Sequence, residues 1–211
     1  MVEPAALSPS RISTQILLEG AQELLGSATL QSLIERLQPD PLPWNGNGAR
    51  KRSDHLRSVF LQPERFVQAL EAVYGVQGGR GLALRIGRAA FKYGLAQLGE
   101  QAGLNSVEFR LLPAPRRLKT GLAALAGIVS QEFGDEVQVI DQGDAWLWQS
   151  TNCPVCRGRQ SEDPCCTLTV GLLQEFASWA GGGRFYRVTE INCRATNQPL
   201  CVFRIDKKPL D

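Results

Sequence analysis

The sequence predicts an α+β fold, with N-terminal helices packed on a four-stranded antiparallel sheet and one helix inserted between the two strand pairs. Three observations predict it. Apolar residues recur at spacings of three and four through most of residues 14–133. Beyond that point two pairs of short alternating segments appear, each pair joined by turn residues, with one helical stretch between them. Helices grouped ahead of antiparallel pairs give an α+β arrangement rather than an alternating parallel one. A chain of 211 residues, 43% hydrophobic, can bury such a core without help from disulfides.

Taken in order, Ile16, Leu17, Leu24, Leu25, Leu30, Leu33, Ile34 and Leu37 predict helix over 14–38, with a break at Gly26-Ser27. The stretch PDPLPWNGNGARKRSD, 39–54, is rich in Pro, Gly and Asn and is expected to be an exposed loop. Its basic triplet Arg50-Lys51-Arg52 is read as a solvated face rather than a site for an anion. A second helix fits Pro63–Tyr74, with Phe66, Leu70 and Val73 as its apolar stripe. GVQGGRG, 75–81, is expected to connect it to a long helix reaching about residue 101.

Gly87 and Gly94 are seven residues apart on that helix and share a face. Each costs about 1 kcal/mol of helix propensity relative to Ala, so close approach of a backbone or a ligand is expected there. Gly87, Phe91 and Gly94 are the candidate pocket-lining residues. A third long helix covers 113–133, burying Leu118, Leu122, Leu125, Ile128 and Val129 and ending at Gly134. EVQVIDQGDAWLWQ, 136–149, reads as a hairpin turning at Gln142-Gly143-Asp144. Helix is expected over Thr167–Ala180, stopped by three glycines, and strands over Phe185–Ile191 and Leu200–Ile205. One main domain, 59–208, is expected after N-terminal helices and an exposed loop over 1–58.

The net charge of +2 gives no case for a nucleic-acid or membrane partner. Residues 1–12 lack the pattern of a secretory signal, and the longest apolar stretch, Leu118 to Val129, is too short to span a bilayer and contains Lys119. A cytoplasmic location is expected, where thiols stay reduced and six cysteines favour metal binding over disulfides. A dinucleotide fingerprint fails because Leu84 stands at the third glycine position and helix, not strand, precedes it. The single histidine, His55, lies in a polar stretch without a nucleophile motif, which argues against a hydrolase.

The cysteines remain. Cys153-Pro-Val-Cys156 is a C-x-x-C pair, open to redox chemistry, metal binding or an incidental turn. Glu190 and Cys193 flank the end of one expected strand, and Cys201 starts the next. Hairpin ends come together, and Cys166 at the start of a helix can join them. Three thiolates and a carboxylate form a closed tetrahedral set suited to Zn2+, leaving no open position for a catalytic water. Burial of the cysteines as small apolar residues is the alternative. Cys153, Cys156 and Cys165 are alternative ligands; they exceed the four ligands needed, which leaves open a different ligand choice or a second metal.

At these residues the chain resembles the vinyl-4-reductase domain family, which includes bacteriochlorophyll 4-vinyl reductase-like proteins and ligand-sensing domains of bacterial activators. The resemblance spans about 60–206. It is most specific at Cys166, Gly171, the E-x-x-C of Glu190–Cys193, and Cys201 with Val202-Phe203. The GGRG stretch and W-x-x-x-x-C-P-V-C, Trp148 to Cys156, are similar to the stand-alone members.

The resemblance implies a fold related to small subunits of vesicle-trafficking tethering complexes, often dimeric. It also implies zinc on Cys166, Glu190, Cys193 and Cys201, and, within the domain 59–208, a buried apolar pocket between helices and sheet for a small hydrophobic molecule. No ATPase or DNA-binding region follows Asp211, so a complete activator is not expected.

Three functions compete. The first is a zinc-containing binding protein for a tetrapyrrole or another hydrophobic small molecule, acting in (bacterio)chlorophyll biosynthesis or photosystem assembly, peripheral on a photosynthetic membrane. The second is a reductase of the 4-vinyl (8-vinyl) group of a chlorophyllide, against which stands the lack of a nicotinamide or flavin motif. The third is a scaffold subunit of a photosynthetic complex, using Trp44 and the 39–54 loop as its contact surface.

Overall fold

Helix placement in the computed structural model, which describes residues 11–36 and 62–210, follows the apolar periodicity closely. Helix α1 (Arg11–Leu25) and helix α2 (Ser27–Arg36) are separated by Gly26, whose φ of 72° only glycine adopts without strain. The last two residues of the expected 14–38 helix, the 39–54 loop with Trp44 and the basic triplet, and His55 lie outside the described residues.

Helix α3 (Pro63–Leu98) is the spine of the molecule. It is two arms joined at Gly75, where φ is 74° and ψ is 161°. The expected connection at 75–81 is therefore one non-helical residue, and helix resumes at once. Gly79 makes this possible: a Cβ there would lie 2.4 Å from the backbone nitrogen of Glu71, so only glycine lets the second arm pass the end of the first. A short helix α4 (Val107–Leu111), not foreseen in the sequence, is capped by Ser106, whose Oγ accepts the Phe109 N–H at 3.1 Å. It stacks Phe109 on Trp179, with ring centroids 5.6 Å apart. Helix α5 (Ala114–Phe133) ends at left-handed Gly134.

Strands β1 (Val137–Asp141) and β2 (Ala145–Ser150) form a hairpin through Gly143. Helix α6 (Thr167–Ala180) follows, then β3 (Tyr186–Asn192), a 3-10 turn (Arg194–Thr196) and β4 (Cys201–Pro209). The sheet is antiparallel in the order β1-β2-β4-β3. Trp148 pairs with Phe203 and Val188 with Ile205, and these buried residues face Leu173, Phe176 and Ala177 of α6 in one core.

Helices α3 and α6 cross at two reciprocal glycines. A Cβ on Gly87 would stand 2.0 Å from the Leu168 carbonyl oxygen, and one on Gly171 would stand 1.9 Å from that of Leu84. This crossing fixes the start of α6, and so Cys166, against the end of the sheet. The α+β class, the helical layer and the four-stranded antiparallel sheet are as the sequence predicts. Among the described residues no helix is long and apolar enough to cross a membrane.

Candidate functional site

All six cysteines are free, buried and gathered at one corner of the core. They arrive from separate places: Cys153 and Cys156 from the loop after β2, Cys165 and Cys166 from the approach to α6, Cys193 from the end of β3, and Cys201 from the start of β4. The Cys166 Sγ lies 3.6 Å from that of Cys153, 3.7 Å from Cys193 and 3.9 Å from Cys201. Cys156 and Cys201 sulfurs are 3.4 Å apart, and those of Cys165 and Cys193 are 4.0 Å apart. A metal–sulfur bond of about 2.3 Å makes the edge of a tetrahedron about 3.8 Å, the spacing seen here.

Local structure explains the convergence. Cys201 pairs across the sheet with Ser150, just before the loop that carries Cys153. The 3-10 turn returns the chain from Cys193 to Cys201, helped by Asn197 in the left-handed region and by Thr196, whose hydroxyl donates to the Cys193 carbonyl at 2.8 Å. The backbone N–H of Arg194 donates to the Cys201 sulfur at 3.4 Å. The 151–166 loop is pinned to α3 by Arg159, which meets Glu71 at 2.6 Å with both side chains largely buried, and Arg80 bonds both Glu71 and Ser161.

Glu190 follows Val188 on the core-facing side of β3, opposite Phe203. One carboxylate oxygen accepts the Cys166 N–H at 2.8 Å, at the positive end of α6. The other oxygen is buried without a hydrogen-bond partner. Burial, with the neighbouring Cys193 adding to it, pushes the carboxyl up to about 8. Cys153 and Cys193 are held well below the usual thiol range, chiefly by hydrogen bonds from Cys156 and then from other thiols. Cys201 is pushed far up, chiefly by its bond to Cys153.

Two four-membered groups have all ligand atoms within 4.8 Å of one another. One is Cys166, Glu190, Cys193 and Cys201, the set expected from the sequence. The other is Cys153, Cys156, Cys166 and Cys201, which takes in two of the alternative ligands. Cys165 belongs to neither.

The expected pocket residues divide. Phe91 and Gly94 lie on the wall of an apolar crevice of about 60 Å3 between α1, α3, α5 and α6, with Ile16, Leu125 and Leu172. Gly87 does not reach it, because its open side is filled by the Leu168 backbone. A second small cavity of about 40 Å3 shares Leu17, Val129 and Leu172 with the crevice and extends to Asp135 and Cys153. Sequence reasoning missed Asp135, Glu71 and Arg159. Their partners are tens of residues away or in an irregular loop, where no periodic signal exists.

No family model and no curated protein matches the sequence. Solved structures do match its fold. An H-NOX protein from S. oneidensis in the Fe(II)NO ligation state aligns with a TM-score of 0.56 at 11% identity, covering 95% of this chain and 98% of that one. A structure described by protein-induced porphyrin distortion modulating heme redox potential aligns at 0.54 and 13% identity, covering 95% and 99%. An oxygen-binding H-NOX domain related to soluble guanylate cyclases aligns at 0.51 and 13%, covering 93% and 94%.

These matches correct several expectations. The fold neighbours are H-NOX proteins, so the assignment to the vinyl-4-reductase family is overturned. With it fall the roles in chlorophyll biosynthesis and photosystem assembly, the vinyl-reductase alternative, and the photosynthetic partner and membrane. Zn2+ as the cofactor is likewise unsupported, since the fold neighbours are heme and Fe(II) structures. The physical reason is one of scale. The residues that carried the resemblance most specifically lie between positions 166 and 203, and close-set cysteines and an acid at a hairpin end arise wherever a turn gathers ligands. The fold match spans nearly the whole chain.

Proposed function

We propose that this chain is a non-catalytic small-molecule-binding domain of H-NOX-like fold, whose sheet is clasped to α6 by a metal ion on thiolates. Cys166 and Cys201 hold the ion together with Glu190 and Cys193 or with Cys153 and Cys156. The observation that carries this reading is the meeting of five cysteines, Cys153, Cys156, Cys166, Cys193 and Cys201, at about tetrahedral-edge spacing. The free Glu190 oxygen supports it, because a buried carboxylate oxygen without a partner is costly unless a cation meets it.

A four-ligand set is closed, so the ion's role is to tie the loop, the helix start and the hairpin together. The chemistry of the donors selects a divalent ion that accepts tetrahedral sulfur coordination. Six reduced thiols fit a reducing compartment, which supports the cytoplasm as the location.

The ligand in this reading is a small apolar molecule in the crevice beside Phe91 and Gly94. A tetrapyrrole is the second reading, favoured by the heme of a fold neighbour. The described residues do not fit heme there. The crevice wall offers no His, Cys, Met or Tyr as an axial ligand, and its volume of about 60 Å3 is far below that of ligand pockets, about 300–1,000 Å3. The only histidine, His55, lies outside the described residues.

Elemental analysis of the full chain, purified without chelator under reducing conditions, is expected to find at least one transition-metal ion per chain. A metal-free product that also refuses added Co2+ would reject the proposal. Hemin titration is expected to give no stoichiometric Soret band. A saturable band abolished by His55→Ala would make heme the ligand instead.

A further inference from the structure

We infer that the thiol corner is a binuclear centre, in which two divalent ions share the Cys166 and Cys201 sulfurs as bridges. The inference rests on the metal-binding reading above and goes beyond it in the number of ions and in the role of each cysteine. The two ligand sets are not alternatives in space. They have Cys166 and Cys201 in common, with sulfurs 3.9 Å apart, and the two remaining ligands of each set are different residues. Two tetrahedra joined along one edge have this composition: two shared vertices and two terminal vertices apiece. A thiolate sulfur keeps enough lone pairs to bind two ions at once, which a carboxylic acid or a thiol does not.

A single ion leaves the corner unbalanced wherever it sits. On Cys153, Cys156, Cys166 and Cys201 it leaves the inner Glu190 oxygen buried and unpartnered. On Cys166, Glu190, Cys193 and Cys201 it leaves Cys153 and Cys156 outside the coordination shell, although their sulfurs lie 3.6 and 3.4 Å from those of Cys166 and Cys201. Two ions use every member of both sets.

Charge is compatible with the count. Five thiolates and one carboxylate carry six negative charges, and two divalent ions cancel four. The excess faces buried Arg159, the Cys166 N–H donated to Glu190 at the start of α6, and the Arg194 N–H donated to Cys201. Disulfides do not account for the cluster, because all six sulfurs are free and the sulfur–sulfur separations of 3.4–4.0 Å are far beyond a covalent S–S bond of about 2.05 Å. Cys165 touches Cys193 from outside both sets and is assigned no metal.

The test is a Co2+ titration of the reduced, metal-free full chain under anaerobic conditions, read by native mass spectrometry, visible absorption and low-temperature electron paramagnetic resonance. Two equivalents are expected at saturation, with intense sulfur-to-cobalt charge transfer. The resonance signal of the loaded protein should be weak, because bridging sulfurs couple the two spins. Cys165→Ser is expected to keep two ions, and Glu190→Gln and Cys153→Ser to hold one each with an uncoupled signal.

Saturation at one Co2+ with a full-strength signal would overturn the binuclear assignment and leave the proposed function standing. No uptake would overturn both. The wild-type stoichiometry decides the matter even where a variant fails to fold.

Discussion

The two ends of the core are built on opposite principles. At the thiol corner seven groups that bind cations crowd together, five of them within one tetrahedral edge of a neighbour in the two ligand sets. At the crevice the walls are leucines, isoleucine and phenylalanine, and the packing leaves a small void. The first region has donors in need of an occupant. The second has space but almost no polar feature to select one. Affinity and structural order are therefore expected to come from the corner, and adaptability from the crevice. Asp135 lies on the small cavity between them.

Breaking the corner should have the largest effect. Cys201→Ser removes a member of both ligand sets, from a fully buried site. A loss of about 4 kcal/mol or more in unfolding free energy is expected, the range typical of lost metals and opened cores. Urea denaturation with and without chelator checks it. Chelated wild type should fall to the level of the variant. If chelation leaves the wild type unchanged, the cysteines are packing residues and the contrast between the two regions disappears.

The residues themselves explain why so much of the fold, and only half of this site, was legible. Long amphipathic stretches such as 113–133, and stops such as Gly134 and 181–183, are local signals, and the helices and hairpins fall where they place them. The Gly-rich 75–81 segment misled because glycine propensity describes an isolated chain, whereas Gly79 is set by contact with Glu71. Cys166, Glu190, Cys193 and Cys201 could be grouped from a hairpin and the adjacent helix. Joining Cys153 and Cys156 to them depends on β2 pairing with β4, a central-strand choice that no local pattern states. Gly87 looked like pocket lining because Gly87 and Gly94 share a helix face, yet one meets α6 and the other meets the crevice.

Asp135 sharpens the comparison by a smaller effect. Its carboxylate accepts from Ser150 at 2.5 Å and from the Asn152 N–H at 2.9 Å, yet burial prevails and pushes it from 3.8 up to about 6. The folded state thus binds its proton more tightly than the unfolded chain does. The stability this contributes is complete below about pH 4, is lost as pH rises through about 6, and is flat above. The loss is at most about 3 kcal/mol, from about 1.4 kcal/mol per unit. Metal binding by thiolates runs the other way and strengthens as pH rises. The difference between wild type and Asp135→Asn, measured by urea unfolding at each pH, cancels the metal's contribution. It should change between pH 4 and 6 and stay constant from 6 to 8. A difference that does not change with pH would mean the carboxyl is not held out of water, and that the two regions are not joined through a dry cavity.

The smallest effect tests the crevice directly, and the two glycines of α3 make the control. A Cβ on Gly94 would meet Ile16 side-chain carbons at 3.8 and 3.9 Å, which is ordinary contact, while one on Gly87 would run into a carbonyl oxygen at 2.0 Å. Gly94→Ala should therefore stabilise the protein by about 0.5–1 kcal/mol through helix propensity. Gly87→Ala should destabilise it by about 1–3 kcal/mol through overpacking. The gain at Gly94 comes with a loss elsewhere, because the new methyl group occupies the void. Xenon, which enters dry apolar cavities, should bind the wild type and bind Gly94→Ala more weakly, as followed by xenon NMR together with thermal unfolding. Equal xenon binding by both proteins would mean that the space beside Phe91 is not where an apolar guest sits.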